Sequence, residues 1–304
     1  MVRSPVCLLF SLVSLFLCAP RLYAEPGNFS YRLIQIAKLQ DLKALRSELG
    51  DEQFEVVLKL NRRDSRHLGS GISLIIPDTV GDLISHSPFP RRIDAAASVP
   101  KLMFVSLSIQ AFAAYEYGEL VRWGPASTGK QETPTPAGLY HVNWRSKRRV
   151  STKNPSWIMP WCVNLHTATG IAFHQYKLPG YPASHGCIRL FKDDARWIFD
   201  WADLWVSSEE ERAPRFFGTA VIVFGRFAYG QDPPWLKLDR DLSGNRIYAA
   251  QIKRVLGRYF SLIERRAREA FLYNAVHGEG NQGRAGMERA TDSRAVSGVP
   301  AEGH

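Results

Sequence analysis

The chain has 304 residues, 45% of them hydrophobic and 12% aromatic, with a formal net charge of +10. Length and composition suit one good-sized globular domain with a smaller one, and they exclude a chain too poor in apolar residues to build a core. The positive balance draws the protein toward polyanions, which outside the cytoplasm means acidic wall polymers or membrane surfaces rather than nucleic acid. A merely soluble basic surface accounts for the charge equally well.

At the N-terminus Arg3 precedes an apolar run, Val6 to Leu17, and Leu22-Tyr23-Ala24 puts a small residue where a signal peptidase would cut. Residues 1–24 read as an export signal, which sends the chain to the periplasm or cell wall. An uncleaved anchor competes, but the run is shorter than the roughly 20 residues of a bilayer span, and Pro20 and Arg21 interrupt it. Cys18 follows the bulky Leu17, a poor fit to a lipoprotein site. No later stretch approaches roughly 20 apolar residues, so no stable span is expected after cleavage. Cleavage removes Arg3 and Arg21 and no acid, taking +10 down by two to +8. It leaves two cysteines, Cys162 and Cys187. Such a pair in an oxidising compartment invites a disulfide. The setting of Cys187 among His and Gly instead suits a free thiolate, and that of Cys162, between Trp161 and Val163, suits a buried core thiol.

Residues 25–78 read as a small module. Leu33, Ile36, Ala37, Leu39, Leu42, Leu45 and Leu49 recur at helical spacing, so a helix is expected from Tyr31 to Leu49, stopping at Gly50. A second helical piece holds Phe54, Val57, Leu58 and Leu60, and a short strand, Ile72 to Ile76, closes at Pro77. The order Val57-Leu58-Lys59-Leu60-Asn61, Leu68, Gly71, Leu74-Ile75-Ile76-Pro77 resembles the second half of a lysin motif, although no first strand is evident. That resemblance implies contact with glycan strands. A small helical cap on the next domain is the competing reading.

Residues 79–100, with three prolines and little periodicity, read as a linker. Strand patterns follow at Leu102 to Leu107, Ala111 to Tyr115 and Glu119 to Trp123, with a turn at Tyr117-Gly118. After the turn-rich Thr133 to Pro136 come a strand from Gly138 to Trp144, a polar loop from Arg145 to Pro155, and a strand from Ile171 to His174. Asp193 and Asp194 open a helix carrying Trp197, Ile198, Trp201 and Trp205, acids at the end the dipole favours. Gly218 to Phe224 is most simply a buried final strand. Residues 101–228 therefore predict a mainly β domain with one packed helix. A C-terminal extension, 229–275, carries a basic helical pattern from Ile247 to Leu272, and 276–304, poor in large apolar residues, reads as a disordered tail.

The chemistry concentrates in His174-Gln175-Tyr176 and Gly180-Tyr181-Pro182-Ala183-Ser184-His185-Gly186-Cys187-Ile188-Arg189-Leu190. A thiol is nucleophilic as thiolate, and either His174 or His185 could take its proton. Gly186 permits a tight turn beside the sulfur, where amide N–H groups could hold an oxyanion, and Arg189 suits a substrate carboxylate.

Ser-His-Gly-Cys followed by an apolar residue, Arg and Leu, with a His at the end of an earlier strand, resembles the catalytic signature of the L,D-transpeptidases. Ser127-Thr128-Gly129-Lys130 and Thr133 to Gly138 resemble a turn of the same domain, so the likeness runs from about Lys101 to Phe227. It implies a β-sandwich-like fold with a packed helix, no metal or other cofactor, and peptidoglycan stem peptides as substrate. It implies Cys187 as nucleophile, His174 as base, and His185, Gly186 and Ser184 as the pocket beside the thiol, with Arg189 and Tyr176 facing the donor peptide. Gln175 departs from the Gly that often follows the first His, and the loop from His174 to Cys187 is short. A cysteine peptidase that trims cross-links, using water as acceptor, and a non-catalytic peptidoglycan-binding protein are the alternatives.

Overall fold

The computed structural model describes residues 29–79, 82–151, 153–204, 206–207 and 214–277. The expected signal segment, Trp205 and nearly all of the expected tail lie outside the described residues. The fold is mainly β.

Five strands form one sheet in the order β5-β4-β3-β13-β6. They are β3 (Lys101–Ser106), β4 (Ala111–Glu116), β5 (Glu119–Pro125), β6 (Gly138–His141) and β13 (Ala220–Phe224). Four more, β7 (Arg145–Val150), β8 (Ile158–His166), β9 (Ile171–Gln175) and β10 (Ile188–Leu190), form a second sheet in the order β10-β9-β8-β7. The short β11 (Val206–Ser207) and β12 (Pro214–Phe216) pair with each other. Alternation along β3 explains the packing: Met103 and Val105 face the second sheet, while Leu102 and Phe104 face away from it. Between the sheets Met103, Val105 and Val221 meet Val163, Phe173 and Ile188, joined by Ala195 and Ile198 of helix α2 (Lys192–Trp201). This is the sandwich with a packed helix that the sequence predicts.

The outer face of the five-stranded sheet is also buried. Phe104, Tyr115, Trp123 and Ile222 pack there against Leu60 and Ile75 of the N-terminal module, and against Trp235, Ile252 and Ile263 of the C-terminal extension. Burial on both faces is why β3, β4 and β13 are nearly continuous apolar runs.

Three expectations need correction. Tyr31–Ile36 is strand β1, and helix α1 (Leu39–Leu60) begins only after it, broken at Gly50 where φ is +74°. β1 pairs antiparallel with β2 (Ile72–Pro77), from Tyr31 opposite Pro77 to Ile36 opposite Ile72. Partnership across the chain overrides the local helical spacing, and the resulting strand–helix–helix–strand unit has the first strand that the lysin-motif likeness lacked. The polar stretch Arg145–Val150 is an edge strand rather than a loop, paired with β8. The single basic helix expected from Ile247 to Leu272 is two, α3 (Ala249–Gly257) and α4 (Phe260–His277), and the bend lets Ile252, Leu256 and Ile263 all reach the core.

Residues 82–100 are packed rather than free. Phe89, Ile93, Ala96 and Val99 join the core, and a Cβ at Gly118 would lie 2.4 Å from the Ile93 carbonyl oxygen, so only glycine fits this close approach. The N-terminal module is equally fixed. Lys59 reaches the buried Asp194 of α2 at 3.8 Å, and Arg122 of β5 pairs with the same carboxylate at 2.7 Å. Asp194 also stands in the first turn of α2, where the helix dipole favours an acid.

Candidate active site

Register decides what the four-stranded sheet presents outward. Val163, Phe173 and Ile188 stand opposite one another and point into the sandwich, so their neighbours along each strand point the other way. Those neighbours are Cys162 and Asn164 on β8, Ala172 and His174 on β9, and Arg189 on β10, with Cys187 one residue before β10. All six, together with Tyr176, Ser184 and His185, line one cavity of about 250 Å³.

Cys187 is half-buried and its thiol donates to the Gly170 carbonyl at 3.3 Å. Burial pushes this thiol above its ordinary pKa, against the lowering effect of a hydrogen bond with the Ala172 backbone and of the charges of Lys153 and Arg189. His174 is 5% exposed, and burial holds its pKa down to about 4, with Arg189 acting in the same direction. Nδ1 of His174 meets the Gln175 carbonyl at 3.0 Å. With the proton on Nδ1 for that bond, the lone pair is on Nε2. Near neutral pH the site therefore holds a protonated thiol and a neutral imidazole able to accept a proton. Cys162 is a free thiol too, pushed up to about 12 by burial and by Cys187, and so stays un-ionised.

His185 is exposed and its ring lies 4.7 Å from that of Trp157, on the loop between β7 and β8. Desolvation and the charges of Lys130, Arg189 and Lys153 lower its pKa. Arg189 places its guanidinium 4.6 Å from the ring of Tyr176, which is itself edge-on to His174 at 5.7 Å.

The turn before the thiol is held from within and from behind. Ser184 Oγ donates to the Cys187 carbonyl at 2.5 Å and accepts from the Gly186 N–H at 3.1 Å. The Gly186 N–H is thus engaged within the turn, and Ser184 and Gly186 together shape the loop. Gly186 itself sits at φ +108°, where a side chain would be strained. Behind the loop the Ser127-Thr128-Gly129-Lys130 segment lies alongside. Ser127 and Arg189 exchange backbone hydrogen bonds at 3.0 Å, Thr128 accepts from the Ala183 and Ser184 N–H groups, and Lys130 N–H donates to Ser184. Sequence reasoning passed over Trp157, Arg149 and Lys153, and gave Thr135 only as part of a turn. The three cavity residues among these sit on or beside the strand first taken for a loop, and the polar, cation-rich run there is the one signal that could have drawn attention to them.

The family model of the YkuD L,D-transpeptidase catalytic domain matches residues 100–223. L,D-transpeptidase 1 of Mycobacterium tuberculosis is 34% identical over 112 residues, covering 31% of this chain and 44% of the relative. The chain thus spans less than half the length of the curated relatives it matches. Among solved structures, one of M. tuberculosis L,D-transpeptidase 1 is 28% identical with a TM-score of 0.32, covering 42% of this chain and 63% of that one. An L,D-transpeptidase from Xylanimonas cellulosilytica is 21% identical with a TM-score of 0.40, covering 66% of this chain and all of that one. Residues 100–223 are thus similar to the catalytic domain of the YkuD L,D-transpeptidase family.

Proposed function

We propose that the protein is an exported L,D-transpeptidase that works through a thioester on Cys187. One observation carries the reading. Cys187 and His174 open onto one cavity, the imidazole neutral and its Nδ1 engaged by Gln175, as a base for the thiol needs. Cys187 Sγ attacks the carbonyl of a stem-peptide residue while its proton passes to His174 Nε2. The C–N bond to the terminal D-amino acid breaks, its amine takes that proton, and a thioester remains. An acceptor amine then attacks the thioester, the C–S bond breaks, and the thiol is restored. Ser184 and Gly186 hold the nucleophile's turn, His185 with Trp157 forms a wall of the cleft, and Arg189 on the face of Tyr176 meets the donor.

The strand–helix–helix–strand unit at the N-terminus supports a role in contacting glycan strands, and the apolar N-terminal run supports export. Among the described residues no helix is long and apolar enough to cross a membrane.

The test is incubation of the purified protein with muropeptides followed by mass spectrometry. Products joined through the penultimate residue of the donor, with release of a D-amino acid, are expected. Release of that amino acid with only a shortened peptide left would make the enzyme a peptidase, and unaltered muropeptides would refute the proposal.

A further inference from the structure

The cavity around Cys187 is electrically one-sided. Arg149, Lys153 and Arg189 line it, whereas none of the described residues lining it is acidic. None of the three takes part in an ion pair among the described residues: Arg149 lies over the Trp144 ring at 5.3 Å and Arg189 over Tyr176 at 4.6 Å. The neighbouring Lys130, by contrast, has Glu132 at 3.7 Å. Arg122 of the same domain and Lys59 of the N-terminal module share Asp194. Uncompensated cations in a concave cleft raise the local concentration of anions and favour ligands that supply the missing charge.

Their placement is specific. Arg189 is on β10, one edge of the sheet and the edge that carries Cys187, while Arg149 is on β7, the opposite edge. The loop after β7 brings Trp157 onto His185, and Lys153 in that loop lowers the pKa of both Cys187 and His185. A peptide bound with its carbonyl at the thiol therefore meets Arg189 beside the reacting carbon and a second cationic pair further along its length.

We propose that Arg149 and Lys153 form a carboxylate-reading subsite that selects donor peptides whose side-chain carboxylate is free over those in which it is amidated. This rests on the transpeptidase reading and adds to it the charge state of the preferred donor. An amide offers these cations only a neutral oxygen and brings N–H donors toward groups that cannot accept.

The experiment uses two synthetic tetrapeptide donors differing only in whether that side-chain carboxylate is free or amidated, with acylation of Cys187 followed by intact mass. The parent protein is expected to favour the free acid by about tenfold or more in kcat/KM at low salt. The double variant R149Q/K153Q is expected to lose that preference by slowing the acid far more than the amide, while alkylation of Cys187 by the neutral reagent iodoacetamide reports separately what the loss of Lys153 does to the thiol. Equal rates for acid and amide in the parent overturn the inference, as does a preference that survives in the double variant. A protein that is alkylated normally yet acylated by neither peptide overturns the transpeptidase reading itself, and this inference with it.

Discussion

Thr135 Oγ1 donates to the Gly186 carbonyl at 2.8 Å and accepts from the Gly129 N–H at 2.9 Å, so one buried hydroxyl joins the upstream turn to the loop that holds Cys187. The turn is tight enough that a Cβ on Gly129 would lie 2.2 Å from the Thr133 carbonyl oxygen. Two motifs about 50 residues apart thus form one scaffold, 51 residues separating the bonded pair.

Thr135→Val keeps the shape of the side chain and removes both hydrogen bonds, leaving the buried Gly129 N–H and the half-buried Gly186 carbonyl unmet. A loss of about 1–3 kcal/mol is expected in urea unfolding, with slower acylation of Cys187. Thr135→Ser should restore most of both. If the valine variant is as stable and active as the parent, the bridge does not set the loop.

Arg62 is the corresponding tie between the N-terminal module and the rest. It is fully buried, with Nε donating to the Ile109 carbonyl at 3.1 Å, Nη1 to Leu60 at 2.5 Å and Nη2 to Asn245 at 3.0 Å, and its guanidinium lies 4.9 Å from the Trp235 ring. Burial lowers its pKa to about 9. Arg62→Ala strands three acceptors and opens a cavity, and should cost about 3–5 kcal/mol. Arg62→Lys should also destabilise, because an ammonium cannot span that fork. Unfolding midpoints within error of the parent would show that the module is only loosely joined.

What could be read in the sequence follows from what the local pattern encodes. β3, β4 and β13 announce themselves because both faces are buried, and α2 because its acids and tryptophans keep helical order. The thiol, both histidines and Arg189 were legible because they lie in one short string. β1 was not, since its fit depends on β2, 35 or more residues later, and its exposed Leu33 mimics a helical stripe. β7 was hidden because it is an edge strand of mostly polar and cationic residues. The engaged Gly186 N–H is a property of loop geometry that no residue pattern carries.

Acid should weaken the fold through its buried histidines. Burial holds His86, His141 and His174 each at about 4. In the unfolded chain they titrate near 6.5, so between about 6.5 and 4 the unfolded state binds more protons and stability falls with pH. For the deeply buried His174 the full effect is on the order of 1–3 kcal/mol. The midpoint of urea unfolding should therefore be lower at pH 4.5 than at pH 7.5. His86 is also buried, its Nδ1 3.1 Å from the Tyr31 hydroxyl, and His86→Phe should reduce the difference. Equal midpoints at both pH values would remove these histidines from the account.

The assignment of base and nucleophile can be separated by three substitutions and one pH profile, reading acyl-enzyme formation with a carbapenem by intact mass. Cys187→Ala should give no adduct, because Cys162 is buried with its thiol pushed up to about 12. His174→Ala should slow acylation by about 10²–10⁴, the usual worth of a positioned base when the unaided thiol is mostly protonated. That thiol is less acidic than an ordinary cysteine here, so the need for a base is greater. His185→Ala should cost much less, since that ring is exposed and lies tilted against Trp157. The profile tests His174 as the base. Because His174 protonates only near about 4, acylation should persist as pH falls through 6 and decline only well below it. An unperturbed imidazole base would already lose its lone pair near 6.5. A decline centred there would contradict His174 as the base, a small effect of His174→Ala with a large one of His185→Ala would transfer the base role to His185, and an adduct on the Cys187→Ala variant would end the thioester mechanism.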